Sequence, residues 1–212
     1  NADIILGVES HKKQADVKSM FRQRGWKVAC NDPEPTASVS THSTGHGGEF
    51  VASKKHLDIK PVEDVILDAV SKATAAPLRF AASYFQCRGI TLVLVSLYLW
   101  HSEGLSDKNA ILINQLNTLR IMLNLPLICF GDFNMRPSVL EDSGWLQTLD
   151  MRLFAPAVDS TLKNSGTALI DFVLISRSIQ DIFLSLLLDI SVHWFPHYGL
   201  MLQLVAEPLK LV

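Results

Sequence analysis

Asp132 and Asn134 stand two residues apart, just beyond a short apolar run at 127–130, in the stretch Leu-Pro-Leu-Ile-Cys-Phe-Gly-Asp-Phe-Asn-Met-Arg-Pro at 125–137. A carboxylate beside an amide can hold a water or a metal-bound phosphate oxygen. If the backbone stays extended, both side chains point to one face. An Asx turn closing a strand accounts for the pair equally well, because Asp and Asn favour such turns. Other chemistry-bearing residues also sit beside apolar runs: Glu9 after 4–8, Tyr98 near the end of 90–99, and His197 before 200–205. Asp171 lies inside the apolar run 168–175, and a lone buried Asp needs a partner. An imidazole is a suitable one, which makes Asp171 a candidate to orient His197.

Groups this scattered converge only in a layered fold, and the intervening pattern supplies the layers. The run at 127–130 is too short for a helix and reads as a strand buried on both faces, ending where α/β sheets deliver catalytic side chains. Residues 4–8 read as a similar strand. Val17, Met20 and Phe21 recur at helical spacing within 13–24, Gly25 is placed to cap that helix, and 26–30 alternates like a strand. Residues 31–48, rich in Pro, Ser, Thr and Gly and carrying His42 and His46, lack periodicity and are expected to form a long loop at the rim of a site. An apolar pattern resumes at 50–52, and the basic cluster Lys54, Lys55 and His56 behind it reads as a solvated strand end.

Further along, 78–85 and 90–99 are expected to pair as a hairpin across the turn at 86–89. Ser106 or Asp107 can cap a helix reaching Leu123, with Ile111, Leu112, Leu116, Leu119, Met122 and Leu123 as one apolar stripe. Pro137 opens a short helical turn, 153–158 reads as an edge strand and loop, 178–190 as helix then strand, and 200–205 as a closing strand.

The 212 residues, 48% hydrophobic, suffice for one domain with a large core. A formal charge of -2 supplies no global basic field, so phosphate recognition has to be local or metal-borne. Three widely spaced cysteines, Cys30, Cys87 and Cys129, read as reduced core thiols of an intracellular protein. No signal-peptide pattern opens the sequence, and the apolar run at 182–190 is too short to span a bilayer, so no membrane partner is expected.

The order Val-Glu-Ser-His (8–11), Ser-Leu-Tyr (96–98), Gly-Asp-Phe-Asn-Met-Arg-Pro (131–137), Leu-Ile-Asp-Phe-Val-Leu-Ile-Ser (169–176) and Pro-His-Tyr-Gly-Leu (196–200) resembles the endonuclease/exonuclease/phosphatase superfamily, the DNase I-like enzymes. The resemblance covers nearly the whole chain. It implies an α/β (α+β) fold, a four-layer sandwich of two mixed β-sheets flanked by helices, and a phosphodiester hydrolase using Mg²⁺, with Mn²⁺ as a substitute. By position, Glu9 matches the metal-binding carboxylate and Asp132 the residue that orients or deprotonates the attacking water. Asn134 matches the amide that holds a phosphate oxygen, and Tyr98 the tyrosine that hydrogen-bonds the scissile phosphate. His197 matches the histidine that stabilises or protonates the phosphoryl charge, and Asp171 the carboxylate that fixes its ring.

Two departures accompany the match. The family carries a metal-site Asn on an earlier strand, which Asn1 is too close to Glu9 to replace, so the domain is expected to lack its N-terminal strand here. The family's final Ser-Asp-His is Phe195-Pro196-His197 in this chain, and a proline supplies no carboxylate. Pro-His-x-Gly-Leu looks like retroelement-derived endonuclease domains. The resemblance therefore implies a DNA endonuclease domain from a retroelement, with a fused reverse transcriptase outside this chain and the nucleus as a place of action. A phosphatase acting on inositol polyphosphate or a similar small substrate, and a catalytically degenerate remnant of the fold, are the alternatives.

Overall fold

The computed structural model describes residues 2–33, 47–87, 89–164, 166–192 and 196–205. The expected rim loop falls mostly outside them, with His42 and His46, as do Asn1, Trp194 and Phe195.

The chain opens with β1 (Ile4–Gly7), α1 (Gln14–Gln23), β2 (Trp26–Cys30) and β3 (Phe50–Lys54), as the periodicity indicated. A short β4 (Ile59–Pro61) and a helix α2 (Asp64–Thr74) follow, neither of which the pattern reading had placed. Then come the hairpin β5 (Phe80–Cys87) and β6 (Ile90–Tyr98), α3 (Asp107–Leu123), β7 (Leu127–Asp132), α4 (Pro137–Asp142), α5 (Trp145–Thr148) and β8 (Met151–Phe154). The chain continues through β9 (Asp171–Ser176), a 3-10 turn (Arg177–Ile182), β10 (Phe183–Asp189) and β11 (Gly199–Leu204).

One six-stranded sheet runs in the order β4-β5-β6-β7-β9-β8. It is mixed, because β6 and β7 are parallel while their neighbours pair antiparallel. A parallel pair needs a crossover, and α3 supplies it. The second strand layer consists of a three-stranded sheet β1-β3-β2 and the pair β10-β11, whose pairings are antiparallel throughout.

Side chains alternate accordingly. On β6, Leu92 and Leu94 face the second strand layer, packing with Val51, Ile4, Leu6 and Leu202. Val93, Val95 and Leu97 face the helices, packing with Val70 of α2 and Leu112, Ile113, Leu116 and Leu119 of α3. The outer face of the small sheet is covered by α1, whose Val17 and Phe21 pack with Cys30 and Ala52. Helix, sheet, sheet and helix thus make four layers. Among the described residues no helix is long and apolar enough to cross a membrane.

The α3 stripe differs from the expected one. Ile111 and Met122 are exposed, while Ile113 and the polar Gln115 and Asn109 are buried. At about 100° per residue, 111 and 122 fall on the flank of the face centred on 112, 116 and 119. Gln115 Nε2 donates to Thr74 Oγ1 at 3.1 Å and to the carbonyls of Ala76 at 3.0 Å and Pro77 at 3.1 Å, while its Oε1 has no partner among the described residues. Asn109 accepts from the Trp100 N–H at 2.7 Å and donates to the carbonyls of Trp100 at 3.1 Å and Gly104 at 2.8 Å, which fixes the loop after β6.

Candidate active site

The apolar alternation that packs the two strand layers changes character at one end of the large sheet. Tyr98 lies beside Asp132 in the β6–β7 register, and Asp132 lies beside Asp171 in the β7–β9 register. Residues in one register row share a face. The face is that of Leu94, Phe130 and Val173, so a Tyr–Asp–Asp row continues the inter-sheet core where that core ends. Asp171 stands at the start of β9, not inside its apolar run as the sequence suggested.

Glu9 reaches this row from the opposite layer. Ser96 Oγ donates to the Gly7 carbonyl at 2.8 Å, which ties the end of β1 to β6. The N–H groups of Ser10 and His11 donate to the carbonyls of Gly48 and Gly47, both at 3.0 Å, holding the turn that follows. Glu9 itself adopts a left-handed backbone, φ 54°, a conformation that persists in a non-glycine residue only where surrounding contacts impose it. Its carboxylate accepts a hydrogen bond from the Tyr98 hydroxyl. Burial, together with that bond and the Glu9 charge, pushes the Tyr98 phenol far above its ordinary range, so it is a donor at any working pH.

His197 comes from the segment before β11. It forms an antiparallel bridge with Leu162, flanked by Lys163 N–H to the Pro196 carbonyl at 2.8 Å and Tyr198 N–H to the Thr161 carbonyl at 2.9 Å. Thr161 is fully buried, and its hydroxyl accepts from the N–H groups of Ile170 and Asp171, each at 3.2 Å. One threonine therefore braces both the histidine segment and the start of β9. His197 Nδ1 lies 2.9 Å from Asp171 Oδ2, the orienting contact expected from the sequence. Its Nε2 is then aimed at Asp132 Oδ2, 3.8 Å away, and Glu9 Oε2, 4.0 Å away. Burial opposes the imidazolium, but the Asp171 hydrogen bond and the charges of Asp171, Asp132 and Glu9 outweigh it and raise the His197 pKa.

Asp132 is 3% exposed. Burial first, and then the nearby Asp171 charge, raise its carboxyl pKa well above the usual range, against the opposing effects of His197 and the Asn134 N–H. Asn134 shows how the two readings of the 132–134 pair combine. The backbone does not stay extended: Asn134 has φ 49° and its N–H donates to Asp132 Oδ1 at 2.9 Å, an Asx turn. Its amide nitrogen donates to the Leu99 carbonyl at 2.8 Å, and its Oδ1 lies 3.1 Å from His101 Nδ1. Asn134 thus sits at the edge of the row, bound to the loop after β6, while the turn aims Asp132 inward.

Ligand atoms of Glu9, Asp132 and His197 all lie within 4.8 Å of one another. Two carboxylates of this kind suit a hard divalent cation such as Mg²⁺ or Mn²⁺, which takes one or two carboxylates and retains waters. Burial, and then the neighbouring Asp171 charge, raise the proton affinity of Asp132, and a cation held here would favour its ionised form.

Two contributors escaped the sequence reading. Arg79, 2% exposed, precedes β5, and its carbonyl accepts from the Tyr98 N–H at 3.0 Å, which puts it in the same register row. Its guanidinium lies 3.6 Å from the centre of the Trp100 ring and 4.6 Å from that of Tyr98. A lone arginine before an apolar hairpin was the available signal. Thr161 is the other, and nothing in its local sequence marks it; His101, which follows the second hairpin strand in the sequence, lies against Asn134.

No protein-family model matches the chain, and neither does any curated protein. Solved structures do. The endonuclease domain of TRAS1, a telomere-specific non-LTR retrotransposon, superposes with a TM-score of 0.59 at 14% identity, over 94% of this chain and 97% of that one. The 3′ phosphatase NExo from Neisseria, bound to product DNA hairpin, gives 0.62 at 15% identity, over 96% and 89%. This is the DNase I-like fold. A third structure with this fold, the mannosyl-6-phosphatase Bt3783 of Bacteroides thetaiotaomicron, gives 0.60 at 15% identity over 96% and 85%. The endonuclease/exonuclease/phosphatase architecture thus occurs in nucleases and in a sugar phosphatase, and these superpositions cover 94–96% of this chain.

Proposed function

We propose that the chain is a divalent-metal-dependent phosphodiester hydrolase, acting as a single DNA endonuclease domain of retroelement origin. The convergence of Glu9, Asp132 and His197, with Asp171 behind the histidine, carries this reading. A divalent cation, held chiefly by Glu9, would neutralise phosphate charge, with Mg²⁺ as the natural ion and Mn²⁺ as a substitute. Asp132, whose proton affinity is raised, positions the attacking water and accepts its proton. His197, held at Nδ1 by Asp171, presents Nε2–H to a phosphoryl oxygen, and the Tyr98 hydroxyl offers a second donor beside Glu9. Asn134 holds the turn that aims Asp132 and presents its amide to the phosphate from the rim. The likeness to the TRAS1 endonuclease domain favours DNA and a retroelement, with a reverse transcriptase on the same polyprotein. Buried free Cys30 and Cys129 suit a reducing compartment such as the nucleus.

Supercoiled plasmid incubated with Mg²⁺ should yield nicked circles, and Asp132→Ala and His197→Ala should each lose the activity by a factor of at least about 10². Equal nicking by wild type and both variants would sink the assignment. A second reading is favoured by the likeness to Bt3783: phosphate release from inositol polyphosphate or another small phosphorylated alcohol. Release without nicking would select it. Neither reaction with either metal would identify a degenerate remnant, the reading that Pro196 in place of a carboxylate supports.

A further inference from the structure

A groove of about 580 Å³ opens between the edge of the small sheet and that of the large one, bounded by α1, β2, β4 and β5. It is not the site described above. In the small sheet, Cys30 pairs with Phe50 at the Gly7 end, whereas Trp26 pairs with Lys54 at the far end, four residues and roughly 13 Å further along. Four cations line it, Lys18 and Arg22 one helical turn apart on α1, Lys27 on β2, and Lys55, and no carboxylate residue does. Its floor is apolar, with Val51, Ile59 and Pro61, and Trp26 borders it from the α1 face of the small sheet, where its ring packs near Phe21.

One polar atom on that floor is unexplained by the fold. Ser83, 1% exposed, lines the groove, and its hydroxyl has no hydrogen-bond partner among the described residues. Ser53, fully buried and two residues along β3 from the lining Val51, shares that strand face and carries a second such hydroxyl. Burying a hydroxyl without a partner costs about 1–3 kcal/mol, so two of them beside one groove call for a ligand that bonds them.

We infer that this groove is a second, metal-independent site that binds a nucleotide: phosphate among Lys18, Arg22, Lys27 and Lys55, base on the apolar floor of Val51, Ile59 and Pro61, and a polar base edge on the Ser83 hydroxyl. The volume matches a ligand of that size. Cations at the rim match the phosphate, the apolar floor accepts the face of a base, and the buried hydroxyl selects a body with hydrogen-bonding edges over an acyl chain. The choice of a nucleotide rests on the nucleic-acid reading above. The nucleotide is either free or the end of a strand.

Binding of 5′-dAMP by calorimetry, and of a fluorescent 5′-phosphorylated single-stranded oligonucleotide by anisotropy, tests this in EDTA, where hydrolysis is silent. Saturable binding is expected. Asp132→Asn should leave it unchanged, while Lys18→Gln with Arg22→Gln should weaken it at least about tenfold and reduce the slope of log K against log salt by about 2. Ser83→Ala should weaken binding without lowering the melting temperature, because it removes an unpaired buried hydroxyl, whereas a purely structural serine would lower it. Affinity far higher for the oligonucleotide identifies a strand end as the occupant, and equal affinities a free nucleotide. No saturable binding of either probe up to about 1 mM, undiminished binding by the Lys18/Arg22 variant, or loss in Asp132→Asn would each overturn the site. Plasmid nicking is read separately, so failure of the hydrolase assignment does not imitate any of these results.

Discussion

Replacing Asp132 with Asn should make the metal-free protein more stable while abolishing hydrolysis. The Asp132 carboxyl is 3% exposed, faces Asp171 across the β7–β9 register and approaches the same histidine as Glu9. Against those anions it has one N–H, from Asn134 at 2.9 Å, and His197 at 3.8 Å. Burial and the Asp171 charge raise its pKa, so the folded protein binds this proton more tightly than the unfolded chain does. The stabilising contribution of the protonated group is complete below the unfolded pKa, near about 4. It is lost as pH rises through the raised folded value.

An Asn amide keeps the shape and an acceptor for the Asn134 N–H but never ionises. Each pKa unit corresponds to about 1.4 kcal/mol, and relieving a buried charge typically yields on the order of 1–3 kcal/mol. In a domain of this size that is about 2–10 °C in melting temperature. Thermal melts followed by circular dichroism in EDTA, from about pH 5 to about pH 9, should show the variant's advantage growing toward alkaline pH. Added Mg²⁺ should stabilise the wild type more than the variant. A variant that melts lower than wild type at alkaline pH would refute the reasoning, because it would mean that the ionised carboxylate holds the fold together.

Two further substitutions probe the histidine side. Thr161→Val preserves shape but strands the Ile170 and Asp171 N–H groups, so it should cost about 1–3 kcal/mol in urea unfolding; an unchanged midpoint would show that those bonds carry no weight. Asp171→Asn removes the charge, and leaves at most a neutral acceptor, where the Asp171 hydrogen bond and charge now outweigh burial at His197, so the His197 pKa should fall. Where the imidazolium is the working form, the alkaline limb of the kcat profile should move at least about one unit toward acid, and an unmoved limb would remove His197 from that role.

Much of this was legible because strand and helix periods are local. The hairpin at β5 and β6, the helix α3 and the buried run of β7 announce themselves by alternation, length and flanking turn residues. Glu9, Tyr98, Asp132, Asn134, Asp171 and His197 could be singled out as polar groups in or beside apolar runs, but what joined them into one site was the order of motifs in the resemblance, which no local period carries. The α2 region was not read: Val70 is fully buried and Ile66 and Leu67 pack partly against the same core, but Val65 beside them is 73% exposed, which blurs the helical period. The roles of Arg79 and Thr161 were hidden for a different reason. Their roles come from partners far along the chain, Tyr98 and the β9 start, and a serine-like hydroxyl or a surface-type cation carries no local mark of such a partner.

Register parity decides whether these residues make a site at all. Slipping β7 by one residue would turn Asp132 toward Leu97 and Leu116 and send Phe133 into the row. Gly131 fixes the position: a Cβ there would come within 2.8 Å of the Leu97 carbonyl and 3.0 Å of the Phe133 ring, so β6 and β7 approach closely only with glycine at this residue. The Phe133 ring in turn stacks on Phe172 at 3.9 Å between centroids, on the helix side of the sheet. Phe133 and Phe172 follow Asp132 and Asp171 by one residue each, so the stack on one face and the carboxylate pair on the other are set by the same register. Burying two phenylalanines contributes about 3–6 kcal/mol, enough to offset bringing two carboxylates together. The apolar half of Gly-Asp-Phe-Asn and Ile-Asp-Phe-Val therefore stabilises the arrangement that the acidic half strains.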